Sequence, residues 1–265
     1  MIERFITRFA SRLTQYCLIP VVATLGACAG VDHEGGSSRE LRALLTQATQ
    51  PGQWRSISAD TLRFDGVIGA PAAQTFRQQL TPAITTVVIN SSGGLVPQAA
   101  EIATEIHGRH LKVQVNGYCL SACANYILPA AAHVELRPGL AGFHGDITGC
   151  IDASGGFDAY VRKSLHGVTG KAAVTRMEYE VNDALAAEAR FYNLLEMTPT
   201  LQSTYCKRDK GIGSGIEYSF IAPSRAHLLQ LGISGITGEQ SIALAQEFGR
   251  QLPPPIFVEP ETNGR

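Results

Sequence analysis

The sequence predicts an α/β domain, and three strand-like segments carry that prediction. Each is short, apolar or β-branched, and ends at a polar or glycine-rich turn. They are "TTVVIN" before "SSGG", "LKVQV" before "NGYC", and "HVELRPG" before "LAGFHG". Because sites in α/β folds form where strands end, these three turns are the places to look for chemistry.

Helical segments alternate with these strands. The amphipathic run "VPQAAEIATEIHGRH" follows the first strand, and a helix of small residues that begins near Leu120 follows the second. Downstream, "KAAVTRMEYEVNDALAAEARFYNLLEM" predicts one or two helices that end near Pro199, either packed on the body or used for oligomerisation. The run "APSRAHLLQLG" predicts a further helix with Gly232 as its C-terminal cap.

Length and charge limit the class of protein. The chain has 265 residues, of which 45% are hydrophobic and 17% charged, so one domain with a full core is expected. Its formal net charge is −1, which leaves no basic surplus to displace counterions from phosphate groups. A nucleic-acid partner is therefore not expected.

The N-terminus has the layout of an export signal. Three arginines in "MIERFITRFASRLTQY" precede the short apolar run "CLIPVVATLGA", which ends in small residues and is too short for a permanent membrane span. Residues 25–28, "LGAC", resemble a bacterial lipobox, with the less usual Gly26, and would place a lipid on Cys28. A simply cleaved signal and a soluble N-terminus are the alternatives.

The sequence divides into four parts on this interpretation. Residues 1–27 form the signal peptide, and the Gly/Ser-rich residues 28–38 form a tether from a lipid anchor to the folded body. The body spans residues 39–250, and the Pro-rich residues 251–265, which carry no periodic pattern, form an extended tail.

The cysteine count fits an oxidising compartment. Six cysteines, less Cys17 in the signal and Cys28 at the lipid site, leave an even set for disulfides, with three possible pairings: Cys119, Cys123, Cys150 and Cys206. No histidine or cysteine lies at zinc-ligand spacing, so no metal is expected.

Ser121 is the candidate nucleophile. Acyl transfer by serine needs a hydroxyl at a turn, a base within hydrogen-bond reach, and backbone N–H groups for the oxyanion. Ser121 lies where a strand feeds a helix, the N–H of Ala122 would face the same way, and Gly93 and Gly94 can approach because they lack Cβ. The candidate base is His144, in "LAGFHG". A plain glycine turn and a structural histidine are the simpler alternatives.

The motifs in order resemble a known family. The series "DGVIG", "VVINSSGG", a helix, "VNGYCLSACANYILPAA" and "GFHG" resembles the Clp-type proteolytic subunit and its relatives in the Clp/crotonase fold, over about Leu62 to Gly235. The paired cysteines and the signal resemble an uncharacterised group of periplasmic Clp-like proteins. The resemblance implies a single-domain ββα superhelix in which "EARFYNLLEM" occupies the place of a handle helix.

The resemblance also implies roles for individual residues. Ser121 would be the nucleophile and His144, 23 residues later, the base, while Gly93 and Ala122 would supply the oxyanion hole. The orienting acid has no clean match: Glu217 is the nearest carboxylate and Asp209 the next, and either could be a solvated charge. Ser92 stands where the family has proline, which loosens the glycine turn.

The expected function is that of an exported, ATP-independent serine peptidase without cofactor, which acts on peptides or unfolded segments and can assemble with copies of itself. The alternative is a catalytically silent lipoprotein that uses the fold as an oligomeric scaffold or to bind peptides. Thioester chemistry of the crotonase kind is a third alternative, but no adenine or pantetheine pocket is evident in the sequence.

Geometry favours one pairing of the cysteines. Residues four apart on a helix have Cβ atoms about 5–6 Å apart, whereas a disulfide needs roughly 3.5–4.5 Å. A Cys119–Cys123 bond therefore requires Cys119 to lie just before the helix, in the turn, and Cys150 would then pair with Cys206. A Cys119–Cys150 bond and a cysteine nucleophile are the alternatives left open.

Overall fold

The computed structural model describes residues 37–197, 206 and 218–261. The predicted signal peptide, Cys28, nearly all of the tether, Asp209 and Glu217 lie outside these residues. Within the described ranges, no helix is both long and apolar enough to cross a membrane.

The fold is mixed α/β with a central sheet, which is the class that the sequence predicts. Its strands are β1 (Gln53–Ser56), β2 (Thr61–Asp65), β3 (Thr86–Ser91), β4 (Lys112–Leu120), β5 (His133–Gly142), β6 (Phe220–Ala222) and β7 (Ile256–Val258). Its helices are α1 (Ser38–Ala48), α2 (Ala72–Gln79), α3 (Val96–Gly108), a π-helical turn (Cys123–Ile127) that continues into α4 (Leu128–Ala130), α5 (Ile147–Ala153), α6 (Phe157–Ser164), α7 (Lys171–Leu195), α8 (Arg225–Gln230) and α9 (Ile242–Gln251).

The sheet runs in chain order. Strands β1 to β5 are neighbours in sequence order, β1 and β2 pair antiparallel, and the pairs from β2 to β5 are parallel. Parallel neighbours align the carboxyl ends of their strands at one edge of a sheet. The residues after β3, β4 and β5 are therefore brought to the same edge.

Local sequence explains the central elements. The centre of strand β3, residues 87–89, is apolar on both faces, which suits its buried place in the middle of the sheet between parallel neighbours. Helix α3 begins with Pro97 in its first turn, where no N–H is needed, and buries one stripe at helical spacing: Ala99, Ile102, Ala103 and Ile106.

Two hydrophobic clusters meet at the end of β4. Cys119 belongs to the larger cluster, which also contains Phe64, Ile102 and Phe191. The neighbouring side chains of Tyr118 and Leu120 belong to a second cluster built around α1, α9 and β7. Because successive strand residues face opposite sides, the end of β4 is held from both faces.

One prediction around β4 is wrong. The segment "NGYC" is not a turn but the continuation of β4. The helix predicted to start near Leu120 follows directly after Ser121, with Ala122 as its N-cap. A register shift between Val115 and Gly117, with Gly117 at φ +113°, lets the strand pass the position where Asn-Gly would otherwise turn the chain. The side chain of Asn90 accepts a hydrogen bond from the N–H of Tyr118 and keeps the strand in place.

The long helical prediction is confirmed as one helix, α7. It ends at Leu195 because Glu196 adopts the left-handed conformation of a C-terminal cap, with φ +52°. Its second half packs against α3 and buries Phe191 and Tyr192, and its first half packs against α6. Packing on the body therefore buries one face of α7, and oligomerisation stays a prediction.

The prediction of an extended tail is wrong for residues 251–261. Gln251 belongs to α9, and β7 pairs in parallel with β6. The strand is only three residues long, too short for a periodic pattern to reveal it. Two acids then accept hydrogen bonds from the first N–H groups of the α8 region, Glu259 from Ser224 and Glu261 from Arg225.

Candidate active site

Ser121 lies at a sharp bend between β4 and the π-helical turn. Its φ of +55° is in the left-handed region, which a non-glycine residue seldom adopts without local restraint. The restraint comes from both sides, because its N–H donates to Gly142 O at 3.0 Å and its carbonyl accepts from Asn125 N at 2.9 Å. The half-buried side chain is thus held at the edge of the sheet.

His144 follows β5 by two residues and meets Ser121. The preceding residue, Phe143, is fixed by two backbone hydrogen bonds of 2.8 Å to Ile221. The exposed imidazole lies 5.5 Å from the ring of Phe220, and its Nε2 atom is 2.6 Å from Ser121 Oγ. The two side chains singled out from sequence are therefore within hydrogen-bonding distance.

The glycine turn after β3 packs directly on Ser121. Gly93 has a φ of +92°, and a Cβ at this position would lie 2.7 Å from Ser121 Cβ and 3.0 Å from Ala122 N. The N–H of Gly93, predicted as an oxyanion donor, donates instead to Ser91 Oγ at 3.1 Å. The described residues offer no acceptor to the N–H groups of Gly94 and Ala122.

The four cysteines of the body come together in two pairs at disulfide distance. Cys119 and Cys123 have Cα atoms 5.2 Å apart, and Cys150 and Cys206 have Cα atoms 5.0 Å apart. Cys119 lies in β4, just before the helical turn, so the first pair spans Ser121. Cys206 Sγ lies 3.1 Å from the carbonyl oxygen of His144, so the second pair adjoins the candidate base.

Sequence reasoning missed a buried acid behind the site. Glu188, on α7, is 1% exposed. Its carboxylate accepts from Tyr126 Oη at 2.5 Å, Ile147 N at 2.9 Å, and both the N–H and the hydroxyl of Thr148, at 3.0 and 2.6 Å. The signal available in the sequence was an acid on a helix face that otherwise carries Ala184, Ala187 and Phe191.

A second buried acid lies beside the first. Asp146 accepts from Gly149 N and from Tyr192 Oη, both at 2.7 Å. Burial raises the pKa of Tyr126, and the Glu188 carboxylate raises it further; burial and Asp146 act in the same way on the pKa of Tyr192. Both phenols therefore remain protonated donors at neutral pH.

Similarity to known proteins is weak. No family model matches this chain, and no curated protein is similar to it in sequence. Among solved structures, it is similar to an enoyl-CoA hydratase from Mycobacterium avium subsp. paratuberculosis K-10, with 13% identity over 77% of this chain and 89% of that one and a TM-score of 0.27. A likeness of this size carries no argument about function.

Proposed function

We propose that this protein is a serine hydrolase of the Clp/crotonase type that cleaves peptides or unfolded segments. The observation that carries the proposal is the 2.6 Å separation between Ser121 Oγ and His144 Nε2. A nucleophile and a base at this distance, each at the end of a neighbouring parallel strand, form the minimal pair for acyl transfer. The left-handed backbone of Ser121 resembles the strained strand-to-helix bend that exposes serine nucleophiles elsewhere.

The proposed reaction runs in two steps. Ser121 Oγ attacks the carbonyl carbon of a peptide bond while His144 Nε2 accepts its proton; the tetrahedral intermediate then collapses, the C–N bond breaks, and His144 gives the proton to the leaving amine. His144 next takes a proton from water, whose oxygen attacks the acyl-serine ester. The second tetrahedral intermediate collapses, the bond between the acyl carbon and Ser121 Oγ breaks, and His144 returns its proton to Oγ, which gives the carboxylic acid and the free hydroxyl of Ser121.

Two backbone N–H groups are proposed to hold the oxyanion. Ala122 N–H supports this role because it follows the nucleophile directly and the described residues offer it no acceptor. We assign the second donor to Gly94 rather than Gly93, since the Gly93 N–H already donates to Ser91 Oγ. The role of Glu217 as orienting acid stays a prediction, because this residue lies outside the described part of the chain.

The proposal extends to the site of action. The arginine-rich start with its short apolar run, the lipobox-like residues 25–28, and two cysteine pairs at disulfide distance all support export. We propose that the protein acts on the periplasmic side of a bacterial membrane, held by a lipid on Cys28, without ATP. Assembly with copies of itself belongs to the same proposal.

A fluorophosphonate probe tests the proposal, because it reacts with serines activated by a base. We expect labelling of the wild-type protein, none at this position in Ser121→Ala, and a rate about 10²- to 10⁴-fold lower in His144→Gln, since this is the usual contribution of a general base. Ser58→Ala, at an exposed serine in the β1–β2 turn, is the matched control and should label like the wild type.

Peptide cleavage then identifies the reaction. Incubation with a mixture of unstructured peptides should give new termini with the wild type and none with Ser121→Ala. If the folded wild type neither labels at Ser121 nor cleaves, the enzyme proposal is wrong and the peptide-binding scaffold becomes the better explanation.

A further inference from the structure

Glu188 connects the two halves of the candidate site. Tyr126, which donates to one carboxylate oxygen, belongs to the π-helical turn that follows Ser121. Ile147 and Thr148, which donate the remaining hydrogen bonds, belong to the segment that follows His144. One side chain on α7 therefore contacts both the element that carries the nucleophile and the loop that carries the base.

The connection is buried and has four donors. Glu188 is 1% exposed, and no arginine or lysine in the described ranges forms an ion pair with it. A buried carboxylate is costly unless its oxygens are hydrogen-bonded, and here each oxygen accepts two hydrogen bonds. Such a fully satisfied network restricts its members to one arrangement.

A second contact runs parallel to the first. Asn125, next to Tyr126, donates from Nδ2 to the carbonyl of Gly145 at 2.7 Å, and Gly145 follows His144 directly. The turn after Ser121 and the loop after His144 are thus joined at two neighbouring points. These hydrogen bonds between the two segments restrain the distance between Ser121 Oγ and His144 Nε2. Glu188 itself contacts neither atom in the hydrogen bonds described.

We propose that Glu188 is a positioning residue, which sets the distance between Ser121 and His144 by joining Tyr126 to the Ile147–Thr148 backbone. This inference rests on the proposed serine hydrolase function. Near-attack geometry is demanding, and a displacement of about 1 Å can cost on the order of 10²-fold in rate. Loss of the joint therefore lowers the rate of acylation and leaves the binding of substrate unchanged.

Glu188→Gln tests the inference, because the amide nitrogen cannot accept the hydrogen bonds of one carboxylate oxygen. We expect fluorophosphonate labelling of Ser121 to slow by about 10- to 100-fold. The maximal rate of labelling should fall by this factor, while the probe concentration that gives half of the maximal rate should not change. Tyr126→Phe and Thr148→Val each remove one donor and should slow labelling less. Because they act through the same carboxylate, Tyr126→Phe should add little to Glu188→Gln in the double variant.

Glu247→Gln is the matched control. Glu247 is equally buried, at 1% exposure, but its carboxylate contacts Arg42, Arg250 and Gln251 on the other side of the sheet core. Its replacement should lower stability without changing the labelling rate. Equal slowing in both variants, or wild-type labelling in folded Glu188→Gln, would overturn the positioning role.

A second readout separates this inference from the proposed function. Ser121→Ala should change the NMR chemical shifts of the His144 ring in the wild type, because the ring loses its hydrogen-bond partner. In the Glu188→Gln background, the same substitution should change these chemical shifts at least threefold less. If the wild type does not label but this difference is seen, the hydrolase proposal fails and the positioning role stands. If the shift is the same in both backgrounds, the positioning role is wrong whether or not the protein labels. Should Glu188→Gln not fold, Tyr126→Phe and Thr148→Val carry the same comparison.

Discussion

At the scale of single residues, Gly93 and Ser121 hold the site together by close backbone contact. An alanine at position 93 would place its Cβ 2.5 Å from Leu120 O and 2.7 Å from Ser121 Cβ, at a φ of +92° that L-residues rarely adopt. We expect Gly93→Ala to lower the free energy of unfolding by about 1–3 kcal/mol and to slow labelling of Ser121, because the serine must move. Urea unfolding and labelling rates measure the two effects.

Gly108→Ala is the control for that substitution. Gly108 is the last residue of α3, and no heavy atom lies within 4 Å of a Cβ at this position. Alanine should therefore be tolerated or stabilise the helix by up to about 1 kcal/mol, with no change in labelling. A Gly93→Ala variant that labels at the wild-type rate would contradict the close contact described for Ser121.

At the scale of elements, the two cysteine pairs differ in the length of chain that they close. Cys119 and Cys123 are 4 residues apart in sequence, and Cys150 and Cys206 are 56 apart. On chain-entropy grounds, the shorter link is worth about 2 kcal/mol and the longer about 4 kcal/mol. We expect the double replacement of Cys150 and Cys206 by serine to lower the free energy of unfolding by roughly the larger amount and to slow labelling, since Cys206 adjoins the His144 carbonyl.

Peptide mapping without reduction checks the pairing itself. Fragments that join Cys119 to Cys123 and Cys150 to Cys206 are expected. When both proteins are measured in reducing buffer, the wild type should approach the stability of the double serine variant, because both then lack both links. A fragment that joins Cys119 to Cys150 would be incompatible with the arrangement of β4 and the loop after His144.

Elements also explain what could be predicted from the sequence. The approach of Ser121 to His144 was predictable because both follow parallel strands, whose ends meet at one edge of the sheet. The continuation of β4 through "NGYC" was not, since Asn-Gly is a turn signal and only pairing of residues 117–120 with β5 overrides it. Glu188 was missed because one acid on a 25-residue helix is typical of a solvated position until the packing of α7 is known.

At the scale of the whole molecule, buried ionisable groups contribute to the pH dependence of stability on the acid and alkaline sides. Burial alone would raise the pKa of Glu247, but hydrogen bonds from Arg250 and Gln251 and the charge of Arg250 together hold it below the usual value. A lowered pKa adds stability above the unfolded value, about 4.3, and this stability is lost as the pH falls through the folded value. The molecule should therefore lose stability on the acid side as Glu247 is protonated.

The tyrosines act in the opposite direction on the alkaline side. Burial and Glu188 raise the pKa of Tyr126, so its stabilising effect is present below the unfolded value of about 10 and is lost as the pH rises above it. We expect the free energy of unfolding, measured by denaturant titration from pH 3 to 11, to fall on the acid side as Glu247 is protonated and on the alkaline side above about pH 10. Glu247→Gln should make the acid limb shallower. Tyr126→Phe should make the alkaline limb shallower but not remove it, because burial also raises the pKa values of Tyr118, Tyr160 and Tyr192. If Tyr126→Phe left the alkaline limb unchanged, the phenol would not be held protonated by its buried contact with Glu188. The buried hydrogen-bond network proposed behind Ser121 and His144 would then be wrong.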